Sequence, residues 1–352
     1  MNLKQALRKK RSWVLLITFS VLGGLFGAFY ASVFYAEPDR LNLLRGFRTG
    51  LMIALLTGGF ELFFFGVLKN GWLRKLPFLG ALLIRILITT ILIRIALVSN
   101  EVLSNYMRGG SFTFEEDFYN QLRDTLVSFS IVVVFVVIAQ FSALLGFHRF
   151  VNLVMGRYFR PVRERRAFLF VDLKDSTGLA LKLGDIRFHE YLSKFFFEAD
   201  QAIVQTGGEI VSYVGDAVIV TWPIGDNPVD NSRAVVALES IVARLIEIRS
   251  EFKTEFGVSP EIRAALHGGE VVVGECGDSR RQVTFLGEVV NITSRIEGET
   301  KARDCDFLAS ASILSSMDIP ACVKTTSIGE VLLRGAETPI ELVELKFERQ
   351  KT

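Results

Sequence analysis

The chain has 352 residues, half of them hydrophobic and 22% charged, with a net charge of +2 and a mean hydropathy of +0.37. That length accommodates two or three domains, and the near-neutral balance excludes a general nucleic-acid binder working through a basic surface. The average hides two unlike halves, because long apolar runs fill the first 150 residues and an ordinary soluble composition fills the rest.

Four apolar runs, at about 13–35, 51–67, 78–98 and 126–145, suit a bilayer, which takes about 20 apolar residues to cross. Lys9, Lys10 and Arg11 precede the first run, as in a signal peptide, but the run exceeds the roughly 7–15 residues of a signal core and reads as a retained helix. Lys4, Arg8, Lys69, Arg74, Lys75 and the arginines after residue 148 mark one side of the membrane. Glu101, Glu115, Glu116 and Asp117 mark the other. The positive-inside rule then predicts a multi-pass protein of the cell (inner) membrane, with both termini and the C-terminal half in the cytoplasm. Arg40, Arg45 and Arg48, in the predicted first outer loop, run against this assignment but are outnumbered. Glu61, Arg85 and Arg94 are charges inside the predicted spans, with Glu61–Arg85 or Glu61–Arg94 the natural pairing. They serve either a structural ion pair or sensing within the membrane. The outer loops are too short for a folded ligand domain, so any receiver lies in the helices.

Cys276, Cys305 and Cys322 fit no metal-binding spacing and read as reduced thiols. Residues 146–166 are basic with interspersed aromatics, and Pro161 prevents one continuous helix. The segment reads as a lipid anchor, a transducer, or both.

A strand at 167–173 carries Asp172 in an apolar run, where an ionised carboxylate is costly unless it is paired or bound to metal. A polar turn at 174–178 opens a helix whose first N–H groups, at Ser176 and Thr177, suit a phosphate. A helix runs through Leu192, Phe195, Phe196, Ala199 and Ile203 and ends at Gly207-Gly208. Residues 211–222 form a hairpin with Asp216 at its tip, so Asp172 and Asp216 can converge on one divalent cation. A helix from about Asp230 follows, then a strand at 261–267, a Gly268-Gly269 turn and a strand at 270–274. A polar tip at 277–281, a strand at 282–286 and a helix with Asn291 and Arg295 come next. The order strand–helix–hairpin–helix–strand predicts an α+β, ferredoxin-like split βαβ domain behind a four-helix transmembrane domain. His267, ending a strand, reads as a packing residue.

The segments FLFVDLKDST, GGEIVSYVGDAVIVTW, RAALHGGEVVVGECG and TFLGEVVNITSRIE, in that order, resemble the catalytic domain of class III nucleotidyl cyclases across residues 166–347. The resemblance implies formation of cyclic AMP or cyclic GMP and pyrophosphate at the interface of a homodimer. It implies that Asp172 and Asp216 bind two Mg2+ (or Mn2+) ions. Asn291 and Arg295 match the residues that orient the ribose and stabilise phosphate charge from the opposite subunit. Arg334 stands where a lysine often contacts the triphosphate, and Thr284 stands at the purine-contacting position. Ser212 replaces the purine-specifying lysine, which leaves ATP against GTP to two hydroxyls.

On this reading, residues 1–146 are the membrane domain, 147–166 the juxtamembrane transducer and 167–352 the cytoplasmic catalytic domain. ATP is the preferred substrate, because membrane-bound bacterial relatives more commonly use it. The alternatives are a guanylate cyclase, a non-catalytic nucleotide-binding receptor with a degenerate cyclase domain, and a four-helix transporter with a regulatory domain. A diguanylate cyclase is disfavoured by the absence of GG[DE]EF, and P-loop chemistry by the absence of GxxxxGK[ST].

Overall fold

The computed structural model describes residues 3–34, 40–61, 78–107, 118–145, 151–152, 155–278, 282–334 and 337–347. The chain divides into two compact units, Met1–Leu145 and Gly146–Thr352.

The first unit holds helices α1 (Leu3–Phe34), α2 (Arg40–Gly59), α3 (Phe78–Met107) and α4 (Phe118–Leu145). Within them, Leu16–Phe34 and Leu79–Ser104 are long and apolar enough to cross a membrane. Helices α1 and α2 pack backbone against backbone. A β-carbon at Gly27 would overlap the Gly46 carbonyl oxygen, and one at Gly50 would overlap that of Gly23. Small residues four apart on each helix permit this approach.

The helices do not end where hydropathy changes. Helix α2 begins at Arg40, not near 51, and α3 runs on to Met107. Arg45 and Arg48 are therefore helical, not loop residues. Arg48 donates to Asn100 and Ser104, and Arg45 lies 4.0 Å from Glu101. Hydropathy registers contact with lipid, whereas the helical ladder continues wherever polar side chains find partners on a neighbouring helix. Glu61 pairs with Arg85 at 3.8 Å, and Arg94 donates instead to Thr125 at 2.7 Å. The remainder of the second predicted span, the basic loop at 69–75, the acidic positions 115–117 and much of the 146–154 segment lie outside the described residues.

The second unit is built on strands β1 (Val162–Leu173), β2 (Glu209–Val214), β3 (Ala217–Pro223), β4 (Ile262–Cys276), β5 (Gln282–Leu286), β6 (Phe307–Ser310), β7 (Val323–Val331) and β8 (Ile340–Phe347). They join in the order β2-β3-β1-β4-β6-β8-β7, with β5 on the far half of β4. Strands β1 to β4, with helices α5 (Ser176–Leu183), α6 (Asp185–Gln205), α7 (Pro228–Asn231), α8 (Arg233–Glu247) and α9 (Arg249–Phe256) between them, make the predicted split βαβ core. Helix α10 (Glu288–Ala302) follows β5.

Side chains alternate along β1. Ala167, Leu169, Val171 and Leu173 enter the core with Tyr191 and Phe195 of α6 and Leu238 and Ile241 of α8. Phe168 and Phe170 face a second core with Ile292 and Ile296 of α10. Asp172 shares their parity and so points to the α10 side.

Two expectations change here. Strand β1 starts at Val162, five residues before the predicted 167, because its charged first half still pairs with Val271–Val273 of β4. Residues 268–269 form no turn, since β4 is continuous through them. Both glycines lie outside the positive-φ set. They are small for another reason: a β-carbon at Gly268 would strike Ile313, and one at Gly269 would come 2.8 Å from Val289.

Candidate active site

Asp172 lies at the end of β1, opposite Arg263 of β4 in register. Strand β1 pairs with β3 as far as Val171 opposite Val218, which puts the β2–β3 turn and Asp216 at that same end of the sheet. Gly215, at φ 63°, makes the turn. Beyond Leu173 the chain turns through Asp175, itself left-handed at φ 53°, into the first residues of α5. Asp172, Asp175, Ser176, Thr177, Asp216, Arg263 and Lys301 together line a cavity of about 230 Å³.

Burial pushes the Asp172 carboxyl up to about 6; Asp216 adds to the rise, and Lys301 opposes it. Lys301, from the last turn of α10, sets its Nζ 3.1 Å from Asp172 and 3.0 Å from Glu297. Burial lowers the Lys301 pKa, but Glu297 and Asp172 outweigh it and hold the ammonium above its usual range. Arg263 Nε is buried without a hydrogen-bond partner among the described residues. The cavity therefore brings carboxylate oxygens together with the unpartnered Arg263 Nε–H.

Such a donor set suits hard divalent cations such as Mg2+ or Mn2+, and the Lys301 ammonium already marks a cation position on Asp172. Among the described residues no group of three or more His, Cys, Asp or Glu side chains could hold a metal. Asp172 and Asp216 are the carboxylates in this cavity that would hold such an ion, with phosphate oxygens and water completing its shell.

Of the residues predicted from sequence, Asp172, Asp216, Ser176 and Thr177 come together in this cavity. Ser212, Thr284, Asn291, Arg295 and Arg334 do not line it. Ser212 is half-buried on β2, opposite Ile219. Thr284, on β5, has its hydroxyl 3.1 Å from both the Gly274 carbonyl oxygen and Cys276 Sγ, and donates its one proton to one or the other. Asn291 and Arg295 lie four apart on α10 and are more open than the buried Ile292, Thr293 and Ile296 beside them. Arg334 is exposed in the segment after β7. Asn291 precedes Lys301 by ten positions, about 15 Å of helical rise, so it stands well away from its own chain's Asp172.

The sequence reading missed Arg263, Lys301 and Asp175. Arg263 carried a signal, a lone cation in the apolar run Ile262–Leu266, as anomalous there as Asp172 in its own strand. Lys301 carried none, since its partner is 129 positions away in the chain. His267 is buried with Nδ1 2.7 Å from Ser310 Oγ, and burial lowers its pKa to about 4, in keeping with a packing residue. The three cysteines are free thiols.

Residues 162–345 match the family model described as the adenylate and guanylate cyclase catalytic domain. A 202-residue stretch is 36% identical to adenylate cyclase 2 of Rhizobium meliloti (strain 1021), covering 57% of this chain and 55% of that one. Another of 232 residues is 27% identical to adenylate cyclase of Anabaena cylindrica, covering 65% and 44%. The chain thus spans about half the length of these relatives. A bacterial light-regulated adenylyl cyclase of known structure superposes with a TM-score of 0.51 at 16% identity, over 70% of this chain and 69% of that one, a likeness of fold.

Proposed function

We propose that this chain, which belongs to the adenylate and guanylate cyclase catalytic-domain family, is a membrane-bound adenylate cyclase. It converts ATP to 3′,5′-cyclic AMP and pyrophosphate as a homodimer and is regulated through its membrane helices. The observation that carries this reading is the convergence of Asp172, Asp216, Arg263 and the start of α5 on one cavity.

Asp172 and Asp216 would hold the two magnesium or manganese ions, whose chemistry when bound would be to neutralise the triphosphate and lower the pKa of the ribose 3′-hydroxyl. The buried, unpartnered Arg263 Nε and the N–H groups at Ser176 and Thr177 bind phosphate oxygens. In the reaction the ribose 3′-oxygen bonds to the α-phosphorus while the bond from that phosphorus to the β-phosphate bridging oxygen breaks. The hydroxyl proton passes to water and pyrophosphate leaves. Asn291 and Arg295 orient the ribose and stabilise charge on the phosphates, with Arg334 contributing to the triphosphate. Asn291 and Arg295 come from the second subunit, a reading supported by the distance of Asn291 from its own chain's Asp172. His267 is committed to Ser310 and takes no part as a base.

Ser212 and Thr284 meet the purine. Thr284 spends its one proton inside the chain, toward Gly274 or Cys276, so its oxygen faces a ligand as an acceptor. An adenine 6-amino group donates to such an oxygen, and a guanine 6-oxo group cannot. This favours ATP.

Residues 1–146 form the membrane domain with four spans, 147–161 the transducer, and 162–352 the catalytic domain on the cytoplasmic side. The two apolar helices and the basic loop pattern support that arrangement.

The test is cyclic nucleotide formation by the solubilised protein from ATP and from GTP with Mg2+ or Mn2+. Asp216→Ala and Arg295→Ala should each be inactive, and mixing them should restore about one working site per dimer. Absence of product from a folded dimer that binds nucleotide would overturn the enzymatic reading. Inactive mixtures of the two variants would overturn the shared site.

A further inference from the structure

We infer that the Met1–Leu145 unit carries a binding site for one long-chain carboxylate, with its anionic head on Arg45 and its hydrocarbon body between the helices. This rests on the reading of α1–α4 as membrane helices.

The helices line a partly open cavity of about 740 Å³, a size typical of small-molecule sites. It runs beside α1 from Phe19 to Tyr30, about 16 Å of helical rise, and so is elongated. With C–C bonds of about 1.5 Å, that length takes roughly a dozen methylenes. Its middle is walled by apolar side chains such as Phe26, Ile53, Val132 and Phe135. One end is polar, where Tyr30, Arg45, Asn100, Glu101 and Asp124 reach the cavity.

Most of those polar groups already have close partners. Tyr30 donates to Asp124 at 3.0 Å, and Arg123 meets the same carboxylate at 3.2 Å. Asn100 is held between Arg48 and Thr49. At the opposite end, Glu61 faces Arg85. Arg45 differs. Among the described residues its guanidinium makes a 4.0 Å approach to Glu101 and no hydrogen bond. A guanidinium presents five donors in a planar fork, and leaving them unmet beside an apolar cavity is unfavourable. A carboxylate satisfies that fork with two parallel bonds, more completely than an alcohol or an ester carbonyl. The remaining requirement, a slender apolar body, is met by a single hydrocarbon chain.

The experiment uses the full chain in phosphatidylcholine nanodiscs, titrated with dansyl-undecanoic acid and displaced by palmitate, with empty nanodiscs as blank. Saturable binding of one probe per chain is expected. Arg45→Met should weaken it about tenfold or more, the loss of one charge-assisted pair. Val132→Phe leaves Arg45 intact and fills the cavity, so it should abolish binding even if Arg45→Met fails to fold. Hexadecylamine displacing the probe better than palmitate would overturn the carboxylate assignment. Unchanged binding in Val132→Phe, or no saturable binding by inserted protein, would overturn the site. Resistance to alkaline extraction is scored separately, so failure of the membrane reading is distinguished from failure of the site.

Discussion

Lys301 Nζ sits 3.1 Å from Asp172 Oδ2, joining the end of α10 to the end of β1 inside the cavity that also holds Asp216. The ammonium offsets two neighbouring carboxylates where a divalent ion is proposed to bind. Lys301→Met should therefore destabilise the metal-free protein. Because the lysine is half exposed, the loss is nearer about 1 kcal/mol than the 3–5 of a fully buried pair. That corresponds to a fall of about 3 °C in melting temperature. Added Mn2+ should shrink the difference, since the ion replaces the missing charge. Melts in EDTA and in MnCl2 check this, and equal melting temperatures in EDTA would remove the ion pair from the account.

Thr284 gives a prediction about base choice. Its hydroxyl proton is spent on Gly274 or Cys276, so the oxygen acts as an acceptor. Thr284→Val should lower kcat/KM for ATP about tenfold, the worth of one hydrogen bond of about 1.4 kcal/mol, with little effect on GTP. Thr284→Ser should retain the preference. A larger loss with GTP than with ATP would mean that the hydroxyl donates to the base.

These two cases show what the sequence discloses and what it withholds. Asp172 was legible because a carboxylate in an apolar strand is anomalous, and the two-residue period then assigns it to the face of Phe168 and Phe170. Arg263 was equally anomalous, yet it acquires meaning only through the register that sets it opposite Asp172. Gly268-Gly269 misled, because glycine that yields space to Ile313 and Val289 reads the same as glycine that turns the chain. Arg45 and Arg48 misled for a related reason. Their partners on α3 are more than 50 positions away, and alone they read as loop cations.

The α1–α2 contact is sterically constrained at Gly23, Gly27, Gly46 and Gly50. Gly27→Leu would drive a side chain into the Gly46 backbone and should cost at least the ~1–3 kcal/mol of core overpacking. Gly59 has open space around its Cα, so Gly59→Ala should be neutral or slightly stabilising. Limited proteolysis of the solubilised protein separates the two outcomes. Equal resistance in both variants would show that the helices can part without loss.

His267 and Asp172 titrate in opposed senses in the catalytic unit. The ordinary value of His267 is 6.5, and burial beside Ser310 lowers it to about 4. The unfolded chain therefore takes up a proton before the folded one does. Stability falls as pH drops from 6.5 towards 4, by up to about 3 kcal/mol. Asp172 acts in the opposite sense, since its value rises from 3.8 to about 6, and acidification over that range favours the folded, metal-free protein by a similar amount. The two oppose one another in EDTA, which should flatten the profile between pH 6.5 and 4. Asp172→Asn should expose the His267 loss as a steep acid limb, and His267→Gln should leave a protein that gains stability on mild acidification. Melting temperatures measured across this range decide the point, and parallel profiles for the two variants would refute the opposed titrations.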